Sequence, residues 1–138
     1  LRTRRQRQMC IRDRQEEELD NGTSRTVLKL PAVLAPTKAA ILPLVKKAGL
    51  PEIARKIVED LKWDFNVSYD EKDAVGRRYR RQDAAGTPFC ITVDHDTLED
   101  NTVTIRHRDT MEQKRVKIEE LRNIIKEEVE VRSWLMKM

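Results

Sequence analysis

Four arginines, Arg77, Arg78, Arg80 and Arg81, flank Tyr79 in the stretch AVGRRYRRQDAAGTPFCITVD, residues 74–94. Guanidiniums packed this closely repel one another unless an anion lies between them. Each one presents a planar fork that matches phosphate oxygens two at a time. The chemistry on offer is the binding of a polyanion, with Tyr79 as a stacking face where it is not buried. The competing reading is a solvated helix face, compensated by Asp73, Asp83 and nearby carboxylates. Composition alone leaves both open.

The other reactive side chains point elsewhere. His95 and His107 have no serine or cysteine nucleophile with an orienting acid beside them, so both are expected to be packed or surface histidines rather than acid-base groups. Cys10 and Cys90 lie far apart with no metal-ligand spacing around either, which argues against zinc and against a disulfide, and Cys90 falls inside an apolar run where an inert buried thiol is expected. The glycines at 76 and 86 lack the spacing of a nucleotide-binding cradle. Trp63 and Trp134 are expected to make core or docking contacts rather than to stack on bases.

The net charge of +4 looks like a second argument for a polyanion, but it is unevenly placed. Residues 1–14 carry six arginines against one aspartate, +5, so everything after them sums to −1. Global basicity therefore belongs to the tail, and only the local cluster supports a polyanionic partner. Residues 1–14 show no helical or strand periodicity and are expected to be a disordered or artefactual basic tail. At 138 residues the chain can bury one core. No apolar run is long enough to cross a membrane, and a cytoplasmic protein is expected.

The elements that must position the cluster follow from periodicity. QEEELDNG reads as an acidic, turn-like segment, Thr26 to Leu30 as a short strand, and the prolines at 31 and 36 as marks of an extended linker. KAAILPLV is an apolar strand with Pro43 placed near its end, because proline is awkward in mid-sheet. In GLPEIARKIVEDLKWD, Pro51 suits the first turn of a helix, and Ile53, Ile57, Val58 and Leu61 form one apolar stripe. DFNVSYD is a strand, AVGRRYRRQDAA a helix with Val75 and Tyr79 inward, and TPFCITVD a further strand. Rotation of about 100° per residue sends Arg77, Arg80 and Arg81 to solvent and leaves Arg78 near the boundary. NTVTIRHRD and KRVKI are expected to pair as a hairpin, followed by a helix carrying Leu121, Ile124, Ile125 and Val129. Helical crossovers between the first three strands imply parallel pairing, so the fold class is α/β: a mixed five-stranded sheet with three helices.

Four segments in this order, LAPTKAAILPL, DEKDAVGRRYRRQD, GTPFCITVD and VTIRHRDTMEQ, resemble the C-terminal anticodon-binding domain of the dimeric class II glycyl-tRNA synthetases. The likeness covers residues 24–128 and implies the same five-stranded mixed sheet. It also implies that residues 15–36 are the last strand and linker of a catalytic domain that is missing, that 37–131 are the anticodon-binding domain and that 132–138 are a C-terminal tail. The function so implied is recognition of a glycine-accepting tRNA. ATP, Mg and the homodimer interface would belong to the catalytic domain of the full-length enzyme, with no cofactor and no metal in this chain, which alone is expected to be inactive. An alternative is a free-standing domain reused as a regulatory or accessory protein-interaction module.

Glycine anticodons carry cytosine as second and third letters, so the resemblance calls for side chains that accept from an amino group and donate to a ring nitrogen. On this basis Arg77, Arg78, Arg80 and Arg81 are assigned to tRNA phosphates. Asp94, Thr97, Glu99 and Asp100, with Arg106, Arg108 and Thr110, are assigned to anticodon bases.

Overall fold

The computed structural model describes residues 14–18, 24–47 and 49–136. The tail before Arg14 lies outside these, as does the side chain of Trp134. Arg14–Glu18 (β1) and Ser24–Leu28 (β2) pair antiparallel, Arg14 opposite Leu28. The part of the acidic turn-like segment up to Glu18 is thus a strand, and Asn21-Gly22 lie outside the described residues.

The main sheet is built from Ala39–Pro43 (β3), Val67–Tyr69 (β4), Phe89–Val93 (β5), Thr102–His107 (β6) and Gln113–Lys117 (β7), in the order β4-β3-β5-β6-β7. β3 runs parallel to both β4 and β5, and β5, β6 and β7 alternate antiparallel. Pro43 ends β3, where its missing N–H costs the ladder least.

Helix α1, Leu50–Leu61, begins after Gly49 in the left-handed region at φ 75°. It has Pro51 in its first turn and buries Ile57 and Leu61 as the apolar stripe requires. Helix α2, Val75–Ala85, is the arginine helix and ends at Gly86, φ 83°. A single turn, α3 (Thr97–Asp100), follows β5. Then come α4, Leu121–Val129, and a short α5, Val131–Met136, where only a tail was expected. Among the described residues no helix is long and apolar enough to cross a membrane.

The two faces of the sheet differ. One carries the principal core, in which Ile41, Phe89, Ile91, Val103 and Ile105 meet Leu50 and Ile57 of α1 and Leu121 and Ile125 of α4. The other carries a small cluster, Ala40, Leu42 and Cys90, covered by Tyr79 of α2. β2 packs against α2 on this side, with Val27 fully buried. The segment expected to be a remnant strand and linker is therefore partly integrated into the domain.

Candidate nucleic-acid interface

All three parallel strands end at one edge, and the loops leaving them gather there. Leu44 N–H donates to Val93 O at 2.8 Å and Asp70 N–H to Ile41 O at 3.2 Å, so the segments following β3, β4 and β5 leave side by side. The chain after β3 turns away to α1 while the chain after β5 continues to α3. The first turn of α2, with Arg77 and Arg78, stands at the same edge because α2 runs antiparallel to the strands it connects.

The four arginines have different environments. Arg77, Arg80 and Arg81 are exposed as the helical rotation predicts, whereas Arg78 is only 3 % exposed. Arg78 Nε donates to Asp73 O at 3.1 Å and Nη1 to the carbonyls of Pro43 and Asp70, which ties the ends of β3 and β4 to the start of α2. That guanidinium is a structural fastener, and its burial corrects the assignment of Arg78 to phosphate. Arg81 pairs with Asp70 and, at 2.7 Å, with Asp73. The crowding that looked unexplained is thus relieved at Arg78 and Arg81 by groups of this chain.

Asp94, Thr97, Glu99 and Asp100 do come together at the carboxyl edge, around α3. Asp94 Oδ1 accepts from the Thr97 N–H at 3.3 Å, and the Thr97 hydroxyl, 3.2 Å from the same oxygen, donates to Thr102 O at 2.6 Å. Thr97 is wholly buried, so its hydroxyl shapes the loop and does not face a ligand. Asp100 accepts from Thr102 N–H and hydroxyl, and Glu99 is exposed. Hydrogen bonding by Arg115 holds the Asp94 carboxyl below the usual carboxylate range, against the opposing effect of burial.

Arg106 and Arg108 part from the expectation more sharply. Arg106 is 6 % and Arg108 3 % exposed. Arg106 forks onto Asp83 at 3.0 and 3.2 Å, with its guanidinium 4.7 Å from the centre of the Tyr79 ring. Arg108 donates to Gly86 O at 2.8 Å and Leu30 O at 2.5 Å and also pairs with Asp109. Their donors are committed to internal acceptors, which corrects their assignment to base edges. Thr110 is exposed, but it sits in the β6–β7 turn at the opposite edge of the sheet, away from α3. His107 packs edge-on to Phe89 with ring centres 4.7 Å apart, and His95 is an exposed loop residue. Burial pushes the Cys90 thiol up to about 12, in keeping with an inert cysteine. Trp63, 82 % exposed, is no core residue.

Several residues at this edge escaped the sequence reading. Lys46 and Lys47 are exposed in the loop after β3 beside the part-exposed Leu44 and Val45, and Leu98 of α3 is 48 % exposed. Lys72 is exposed between β4 and α2. Adjacent lysines directly after a buried strand, LPLVKK, were the signal available for the first pair.

This architecture is the fold of α/β domains found in tRNA synthetases. The RNA-binding domain of threonyl-tRNA synthetase from Cryptosporidium parvum Iowa II superposes with a TM-score of 0.66 at 23 % identity, over 72 % of this chain and 25 % of that one. Prolyl-tRNA synthetase from Cryptosporidium parvum gives 0.68 at 20 % identity, over 88 % and 32 %. The family model described as anticodon binding domain matches residues 38–128, and the chain belongs to that family. It is homologous to part of the glycine-tRNA ligases. Those of Borrelia hermsii, Clostridium tetani and Rhodopirellula baltica are 53, 59 and 61 % identical over 82, 83 and 79 % of this chain. The chain spans 25, 24 and 20 % of their respective lengths.

Proposed function

We propose that this domain docks the anticodon stem-loop of a glycine-accepting tRNA across the carboxyl edge of its sheet, as the recognition part of a glycine-tRNA ligase. The observation that carries the reading is the pairing, on adjacent loops, of exposed cations with exposed apolar side chains. Lys46, Lys47, Leu44 and Val45 on the segment after β3, Lys72 after β4, Arg77 at the start of α2 and Leu98 after β5 are all exposed. Cations answer phosphates without choosing sequence, and apolar surface takes unstacked bases. Arg80 and Arg81 are exposed farther along α2, Arg81 with its charge balanced by Asp70 and Asp73. Asp94, Glu99 and Asp100 supply acceptors for base amino groups, while Thr97 holds their loop in shape.

Adenylate formation with ATP and Mg, and dimerisation, belong in this reading to the catalytic domain of the full-length ligase, acting in the cytoplasm. The test is titration of the purified chain with a glycine anticodon stem-loop and with versions in which either central cytosine is replaced. Binding that weakens steeply with salt and falls with either replacement is expected. Binding of a protein partner with no preference among RNA loops would instead establish the accessory-module reading.

A further inference from the structure

Arg115 has no part in the interface drawn above, yet it is the residue around which the α3 loop is organised. It lies on β7, opposite Thr104, and its side chain reaches the loop after β5. Nη1 donates to Asp94 Oδ2 at 2.7 Å, Nη2 to Asp94 Oδ1 at 3.1 Å, and Nε to Thr102 Oγ1 at 2.9 Å. Thr102 and Thr97 in turn fix the two ends of the same loop, so the pair is held in one orientation from both sides.

A guanidinium has five N–H donors, and a carboxylate oxygen two lone pairs. Nη1 spends one hydrogen on Oδ2 and keeps a second, which leaves a donor and an acceptor side by side on the outer edge of the pair. The side chains of Arg115 and Asp94 are 35 % and 21 % exposed, so solvent reaches the pair. The carboxylates of Asp96 and Asp100 lie 3.9 Å from the same guanidinium. Three negative charges around one positive charge repel phosphate and suit a neutral group that donates hydrogen. An amino group next to a bare ring nitrogen is such a group. Cytosine, the base the proposed function calls for, presents it as adenine does, and uracil presents a carbonyl in the same place.

We infer that Arg115 is a specificity-determining residue, which with Asp94 reads the amino group and neighbouring ring nitrogen of an unstacked cytosine and rejects uracil. The inference rests on the reading of this edge as an RNA-docking surface, and the experiment separates the two. The whole chain is titrated with a hairpin RNA carrying two loop cytosines and with its uracil counterpart, for the unmodified protein, Arg115→Lys and Thr102→Val. Lysine keeps the charge and loses the fork, and valine removes the Nε acceptor without touching any charge. The unmodified chain is expected to prefer the cytosine hairpin by about tenfold or more. Arg115→Lys should abolish that preference with an unchanged salt slope, and Thr102→Val should reduce it. A preference that survives Arg115→Lys, or an equal loss of affinity for both hairpins, overturns the role of Arg115. Equal binding of both hairpins by the unmodified chain does the same while sparing the docking surface. Binding of neither at low salt overturns both.

Discussion

Asp83 and Arg106, on α2 and β6, meet in a bidentate pair of 3.0 and 3.2 Å, and the same carboxylate accepts from Arg25 of β2 at 2.9 Å. All three residues are at most 6 % exposed. One buried negative charge thus joins the β1–β2 hairpin, the arginine helix and the sheet, and Arg25 adds a bond to Arg108 O at 2.9 Å and a pair with Glu17 at 2.6 Å. A buried pair contributes little beyond what apolar packing would, but losing one partner strands the other.

Asp83→Ala is therefore expected to destabilise the protein by about 3 to 5 kcal/mol, because it leaves two guanidiniums without their shared carboxylate. Urea unfolding followed by circular dichroism measures it. A loss under about 1 kcal/mol would show that water satisfies both arginines and that the network does not hold the hairpin in place.

Gly86 closes α2 in the left-handed region, and a Cβ there would stand 3.1 Å from Leu28 Cδ2 and 3.3 Å from Leu28 O. Gly86→Ala should cost about 1 to 2 kcal/mol from the backbone alone, with a further loss from displacing β2. Thermal melting reads the total.

The arginines of α2 should divide into two phenotypes. Arg77→Ala is expected to weaken binding of every stem-loop alike and to flatten the salt slope by about one unit, leaving the melting temperature unchanged. Arg78→Ala should lower the melting temperature, since its donors hold the carbonyls of Pro43, Asp70 and Asp73. The reverse pattern would contradict the burial described for α2.

The depressed Asp94 carboxyl sets a pH dependence. With a folded value below the unfolded one, the Asp94–Arg115 pair stabilises fully above the ordinary aspartate range, near pH 4, and that contribution disappears as pH falls through the folded value. The stability difference between the protein and Asp94→Asn should be constant from pH 7 to 5 and shrink toward pH 3. Unfolding titrations at each pH test this, and a gap that widens on acidification would reverse the sign.

With its thiol pushed up to about 12, Cys90 has almost no thiolate at neutral pH. Mass-spectrometric footprinting with a thiol reagent at pH 8 should leave Cys90 unlabelled in the native protein and label it fully in urea. Labelling of the native protein at a rate independent of urea would be inconsistent with its burial in the sheet.

Apolar periodicity made α1, α2, α4 and the β6–β7 hairpin readable, because each buries a stripe that local spacing reveals. Pro43 marked the end of its strand for the same kind of reason, the want of an N–H. Arg78, Arg106 and Arg108 were misplaced because charge in a sequence suggests solvent, and what buries these side chains lies far along the chain. Asp83 is 58 residues from Arg25, and Leu30 is 78 from Arg108. Alternation did place Arg106 and Arg108 on the sheet face opposite the apolar one, but it carried no sign that a second layer covers that face. α3 went unseen because one helical turn in DHDTLED leaves no periodicity to read. The lysines at 46 and 47 were passed over since two like residues in a loop resemble any solvated connection until the loops beside them are known.

The family model begins at residue 38, whereas Arg25 and Leu30 complete the surroundings of Asp83 and Arg108 from before that point. A polypeptide trimmed to residue 38 would keep every strand of the main sheet and forfeit the groups that seal its polar side. The unit that melts together thus starts earlier than the family pattern does, and a minimal version should be cut ahead of Arg25.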